Sequence, residues 1–266
     1  MMIERRTVIA ALIACATAGA SMRALAASLW LDDLTSVELH ELIAQGTTTV
    51  LLPIGGTEQN GAHLALGKHN VRAQKLAARI AEQLGHAVVA PVVAYVPEGN
   101  IDPPTQHMRY PGTVSVPTAA FEAVLEGAAR SFHRHGFRHV VLLGDHGGYQ
   151  SSLQRVADKL NRVWGGPSWV IALSEYYAAA QAFDSVLAAQ GYSQQEIGRH
   201  AGLADTALAW AADESLVRPQ ALQPIDGVSG DPRRANAQLG REGIDHIVAA
   251  SVAAIRARIA GTPIKH

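Results

Sequence analysis

Thr47-Thr48-Thr49-Val50-Leu51-Leu52-Pro53-Ile54 runs directly into Gly55-Gly56-Thr57-Glu58-Gln59-Asn60-Gly61-Ala62-His63-Leu64. The first part is β-branched and apolar without alternation, the pattern of a strand covered on both faces. The glycines end the strand and place Glu58 just beyond its tip. His139-Val140-Val141-Leu142-Leu143 followed by Gly144-Asp145-His146-Gly147-Gly148 repeats the design with an imidazole. Carboxylates and imidazoles from neighbouring strand tips can converge on one cation such as zinc.

Helical and extended segments alternate around these two units. Thr35-Ser36-Val37-Glu38 has capping-box spacing and predicts a helix through Ala44. Asn70 to Leu84 carries helical spacing at Val71, Leu76, Ala77 and Ile80, with Gly85 as its stop. His86 to Tyr95 reads as a second strand. Pro117 to His135 reads as a helix with Phe121, Val124, Leu125 and Phe132 on one side. Gln150 to Trp164 predicts a helix, Trp169 to Leu173 a strand, Tyr176 to Gln190 a helix, and Ala235 to Ile259 a closing helix. Val96 to Pro111 is a long Pro/Gly-rich loop, a length often tied to function. Gly227 to Pro232 is a second turn-rich loop. The alternation predicts an α/β single domain, a sandwich with a mostly parallel sheet flanked by helices on both faces. In such folds ligands sit at the carboxyl ends of the strands.

The chain has 266 residues, 48% of them hydrophobic, and a formal net charge of -1. That balance provides no electrostatic footprint for nucleic acid. Residues 1–27 read as a secretory signal peptide. Arg5-Arg6 precedes the apolar or small run Val8 to Ala20, and Ala24-Leu25-Ala26 offers a cleavage site. The paired arginines fit either twin-arginine or general secretory export. Leu12-Ile13-Ala14-Cys15 resembles a lipobox, a third route. The expected location is periplasmic or secreted, with residues 28–266 forming the domain. Cys15 is the only cysteine, so the mature chain would have no thiolate metal site and no disulfide. No run of eighteen apolar residues follows the leader, which argues against a spanning helix.

Five elements, taken together and in order, resemble the creatininase family: Pro53 to Leu66, Tyr110-Pro111-Gly112-Thr113, Gly144 to Gly148, His200-Ala201-Gly202 and Gly227 to Gly240. The resemblance implies an α/β sandwich, often hexameric, with a divalent metal centre that hydrolyses C–N bonds of cyclic amides, formamides and some peptides. The family's first motif reads Glu-x-His-Gly-x-His-Leu, with an Asp six residues after the second His. Its acid, first His and that Asp bind metal, as does the His of a Gly-His-Gly-Gly element. By this match Glu58 and His146 are metal ligands. Asn60 stands in place of the first His, and His69 in place of the Asp. What survives is Glu58, His69 and His146, a two-His, one-carboxylate set with an open position, the pattern of a catalytic zinc site. One zinc per chain is expected, with manganese or iron(II) also accepted.

The resemblance also assigns His200 to proton transfer and gives Asp205 as an acid able to orient it. Asp145, where the family usually has Asn, reads either as a partner of a metal ligand or as a turn cap. His63 reads as structural. His107 in the long loop is a candidate to face substrate, and Tyr95, Glu98 and Arg109 are candidates for substrate selection. His133, His135 and His139 read as surface residues. Gly147-Gly148 fits an anion cradle or simply a tight turn. The sequence therefore describes an exported metal-dependent amidohydrolase acting on a small molecule, homo-oligomeric and hexameric by resemblance. A non-catalytic metal- or ligand-binding relative and a lactone hydrolase are the alternative readings.

Overall fold

The computed structural model describes residues 28–166 and 169–261. The leader and Cys15 lie outside the described residues. Four parallel strands form the sheet: β1 (Thr49–Ile54), β2 (Ala87–Val89), β3 (His139–Gly144) and β4 (Val170–Ala172), in the order β2-β1-β3-β4. The helices are α1 (Ser36–Ala44), α2 (Lys68–Leu84), α3 (Thr118–Arg134), α4 (Gln150–Trp164), α5 (Ser174–Ala189), α6 (Gln194–Ile197), α7 (Leu203–Ala212) and α8 (Ala237–Ala260).

Every residue of β1 and β3 is buried, as their unbroken apolar runs require. Alternate side chains feed two cores. Leu51, Val141 and Ile171 face Leu76 and Ile80 of α2, Phe183 of α5, Leu208 of α7 and Ile247 of α8. Val50, Leu52, Val140 and Leu142 face Phe121 and Leu125 of α3, Leu153 and Leu160 of α4, and partly buried Leu39 and Leu42 of α1. The sheet is thus covered on both faces, as the sequence pattern implies. Among the described residues, no helix is long and apolar enough to cross a membrane.

The register sets up the site. Ile54 pairs with Gly144, so β1 and β3 end level and their Gly-rich turns leave the sheet side by side. The Tyr149 hydroxyl donates to the Gly55 carbonyl and accepts the His146 N–H, tying the two turns together.

Several expectations shift. The second strand shrinks to Ala87–Val89 because Pro91 supplies no N–H; the chain then keeps only single contacts with β1, such as Val93 N–H to the Pro53 carbonyl. Helix α2 begins at Lys68, two residues before the expected start, which brings Lys68 and His69 into its first turn. The α7 segment, unanticipated as a helix, buries Leu203, Ala207 and Leu208. It packs so closely on α8 that a Cβ at Gly240 would lie 1.9 Å from the Ala207 carbonyl oxygen. His139 is buried rather than at the surface, being the first residue of β3. His133 stacks on Trp164 at 4.1 Å and meets Trp169 edge-on.

Leu142 is fully buried in the α3/α4 core. Leu142→Ala should cost about 2–5 kcal/mol through lost contacts and the residual cavity. Urea denaturation measures this, and a loss below about 1 kcal/mol would mean the sheet is not packed on both sides.

Candidate metal centre

Glu58 follows β1, His69 sits in the first turn of α2, and His146 follows β3. All three predicted ligands meet: one ligand atom from each lies within 4.8 Å of the others. Glu58 is wholly buried, and its Oε2 has no hydrogen-bond partner. His69 Nδ1 lies 2.6 Å from Asp145 Oδ2, so this nitrogen carries the proton and donates it to the carboxylate. In the neutral ring, Nε2 is then a bare lone pair, and it lies 2.9 Å from Glu58 Oε1. Two acceptors face each other, an arrangement that either a shared cation or a proton on Nε2 resolves. Asp145 thus orients a ligand, though it is His69 rather than its neighbour His146. It also accepts from Arg72 and from the Tyr176 hydroxyl.

A closed ring of ionic contacts surrounds this pair. Glu58 Oε1 lies 3.6 Å from the Lys68 ammonium, which pairs with Asp205. Asp205 accepts from Arg72 at 2.9 Å; Arg72 reaches Asp145, Asp145 reaches His69, and His69 returns to Glu58. Three carboxylates face two fixed cations, leaving one negative charge when His69 is neutral. Burial works against the Glu58 anion, yet the His69 hydrogen bond and Lys68 hold its carboxyl well below the usual range. Burial and Lys68 oppose an imidazolium at His69, but Asp145 and Glu58 outweigh them and raise its pKa. Asp205 is likewise held low against burial by Lys68 and Arg72. Burial, reinforced by His69, lowers His146 to about 4. His146 is therefore a free base near neutrality, as a metal ligand must be.

A second group closes on the same carboxylate. His107, on a 3-10 turn at 106–109, brings Nε2 to 3.4 Å from Glu58 Oε2; His200 brings Nδ1 to 3.6 Å from Oε1. The two rings lie 4.2 Å apart. Burial, then Lys68, pushes His200 down to about 3. Asp205 makes no hydrogen bond to His200. It accepts the Ala201 N–H instead, and so fixes the backbone beside that histidine. Ala201 adopts a left-handed φ of 52°, which costs an alanine about 1–2 kcal/mol. His63 donates Nε2–H to the Ala201 carbonyl at 3.0 Å, a structural role. Asn60 spends its amide on the Glu58 and Ala65 carbonyls, tying the turn.

Glu98 is the least expected member. It is buried, both carboxylate oxygens lack partners, and Oε2 lies 3.7 Å from His146 Nδ1. Gly56, at φ 154°, makes room for it: a Cβ there would lie 2.5 Å from Glu98 Oε1. Burial, then Glu58, pushes Glu98 up to about 8. Tyr95 and Arg109, considered with it for substrate selection, are exposed. The Gly148 N–H of the glycine pair is already directed to His146 Nδ1 at 3.3 Å. The sequence does not single out Lys68, Arg72 or Gln59; for Lys68 and Arg72, basic residues at the start of an otherwise amphipathic helix are the available signal. A cavity of about 470 Å³ is lined by His69, His146 and His200 together with Tyr177, Asp184 and Arg199.

Fold and site together define a three-layer α/β protein with a buried His/carboxylate cation site at adjacent strand tips. The creatininase family pattern, described as creatinine amidohydrolase, matches residues 32–255. The chain belongs to the creatininase family. It is 36% identical over 141 residues to the mycofactocin precursor peptide peptidase of Mycolicibacterium smegmatis, covering 51% of this chain and 53% of that protein. The chain thus matches about half the length of that relative. It is 26% identical over 226 residues to creatinine amidohydrolase of Pseudomonas putida, covering 79% of this chain and 85% of that protein. Solved structures of a tryptophan-to-alanine creatininase variant (TM-score 0.75, 23% identity) and of manganese creatininase (TM-score 0.72, 24% identity) each cover 87% of this chain and 98% of their own. They share its fold.

In metal-free protein, Glu98 stays protonated in the fold up to about pH 8, whereas unfolded Glu ionises near pH ~4.3. Its contribution to stability is therefore complete below the unfolded pKa and is lost as pH rises towards the folded one. Glu98→Gln should match wild type in Tm near the lower limit and exceed it near the upper. Thermal unfolding in chelator across this range checks the sign; a constant difference would mean that Glu98 is already ionised in the fold.

Proposed function

We propose that this chain is a metal-dependent amidohydrolase that cleaves a C–N bond of a small cyclic amide, formamide or short peptide. One divalent ion, zinc by choice of ligands, is held by Glu58, His69 and His146. The observation that carries this is the convergence of one ligand atom each from Glu58, His69 and His146 within 4.8 Å, with His69 Nε2 2.9 Å from Glu58 Oε1 and Glu58 Oε2 left without a hydrogen-bond partner. A divalent ion bound there supplies Lewis acidity and a water of lowered pKa.

The remaining work falls to the chain's own side chains. Asp145 fixes the His69 ring, so only Nε2 is offered. Lys68 balances Glu58 and keeps it ionised. His200 lines the cavity and presents Nδ1 towards the Glu58 carboxylate, where it can accept a proton and return it to the departing nitrogen. Asp205 serves by bracing Ala201 and neutralising Lys68 and Arg72 rather than by contacting His200. Arg199 and Asp184 put both signs of charge on the cavity wall, which suits a polar, peptide-like amide. Membership of the creatininase family and likeness to a peptide peptidase and a creatinine amidohydrolase support the reaction class.

Metal analysis and zinc titration test the proposal. Wild type should bind one zinc per chain, and Glu58→Gln or His146→Ala should weaken binding by more than the ~10-fold loss of an outer-shell partner. His200→Ala should keep zinc but lower kcat by about 10²–10⁴ on creatinine, formamides or short peptides. No zinc uptake sinks the metal site, and zinc uptake without turnover across that panel leaves a binding protein.

Export through residues 1–27 and assembly as a hexamer belong to the same proposal. Periplasmic fractionation and light scattering should find a cleaved chain and a mass of six subunits; an uncleaved monomer overturns both.

A further inference from the structure

The two imidazoles of this second group at Glu58 are set by one residue, Gln59. Its amide orientation is settled by two backbone partners: Oε1 accepts the Gly61 N–H at 3.1 Å, and Nε2 donates to the Gly227 carbonyl at 2.7 Å. The second proton on Nε2 points to His107 Nδ1 at 3.0 Å. His107 Nδ1 must therefore be the acceptor, which leaves the proton of the neutral ring on Nε2. That N–H is directed towards Glu58 Oε2 at 3.4 Å without making a hydrogen bond to it.

The Gln59 backbone carbonyl does the opposite job for His200. His200 Nε2 lies 2.9 Å from it, and a carbonyl only accepts, so His200 carries its proton on Nε2 and bares Nδ1. The 3.2 Å approach of the Gln59 amide nitrogen to His200 Nε2 joins two donors and bonds neither. The two rings, 4.2 Å apart, thus present opposite functions to Glu58: a donor from His107 and an acceptor from His200.

We propose that Gln59 is a tautomer-fixing residue, and that His107 is a catalytic hydrogen-bond donor whose Nε2–H binds the substrate carbonyl oxygen as negative charge develops there. This rests on the hydrolase reading above. It also bears on the second cation-competent group at Glu58. A ligating imidazole needs a bare nitrogen facing the metal. His107 Nε2 could become bare only by moving its proton to Nδ1, against the Gln59 donor, which Gly61 and Gly227 prevent from turning. His107 is therefore closed to a metal through Nε2. His107 remains part-exposed. A preorganised donor of this kind is worth about 10²–10³ in kcat.

Ring-nitrogen NMR of the zinc-loaded full chain, with His107→Gln and His200→Gln used for assignment, tests the lock. Both rings should show Nε2–H with a bare Nδ1. In Gln59→Met, His107 should lose its fixed tautomer while His200, held by the backbone carbonyl, keeps its own; general disruption would move both. Acetohydroxamate, which places a carbonyl oxygen at the site, should bind about tenfold more weakly to His107→Ala, the worth of one hydrogen bond. His107→Gln, which restores an N–H, should recover most of that loss. A proton on His107 Nδ1, a second zinc bound through His107, or equal hydroxamate affinity in all three proteins overturns the inference. If the tautomers are as stated but zinc does not bind, the hydrolase reading falls and the lock stands.

Discussion

The site depends on a ring of alternating charge, Glu58–Lys68–Asp205–Arg72–Asp145–His69, closed upon itself and largely buried, with Asp205 its most exposed member. Burying any one of these groups alone would cost several kcal/mol. Each is tolerable because its neighbours on both sides have the opposite sign or a matching proton. The ring comes from distant segments: a strand tip, the first turn of α2, the turn after β3 and the start of α7. It therefore welds the two halves of the sequence together at the point where chemistry is expected. The Glu58 carboxylate, held ionised within it, is what a divalent ion would find attractive.

The scaffold prepares this by register. Because β1 and β3 end level, Glu58 and His146 emerge together, and the Tyr149 hydroxyl links the two turns through backbone groups. The early start of α2 then swings His69 beneath them. Starting the helix at Asn70 would leave Lys68 and His69 in the preceding loop. The site is built on rigid element ends, the condition under which ligand geometry holds to fractions of an ångström.

Much of this was legible. Unbroken apolar runs mark β1 and β3, and glycines mark their ends, so the α/β layering and the strand-tip position of Glu58 and His146 follow from pattern alone. The convergence of His69 needed the family resemblance, since nothing in its neighbourhood signals a ligand. The partner of Asp205 was misread for a physical reason: adjacency to His200 in sequence says nothing about which cations fold against the carboxylate, and Lys68 and Arg72 claim it. Gln59 was invisible because its importance lies in which end of an amide meets which backbone group. The burial of Glu98 is not legible because a Pro/Gly-rich loop is usually exposed; only the missing side chain of Gly56 lets it turn inward.

Ala201 carries a last implication. Its left-handed backbone is clamped by Asp205 at the N–H and by His63 at the carbonyl. A glycine would adopt this conformation without penalty, so the alanine is the costlier choice locally. What the methyl group adds is stiffness: it denies the peptide the alternative rotations a glycine would sample. Sequence drift at this position is therefore constrained from two directions, since larger residues meet a fully buried site and the smaller one would loosen the hinge that aims an imidazole.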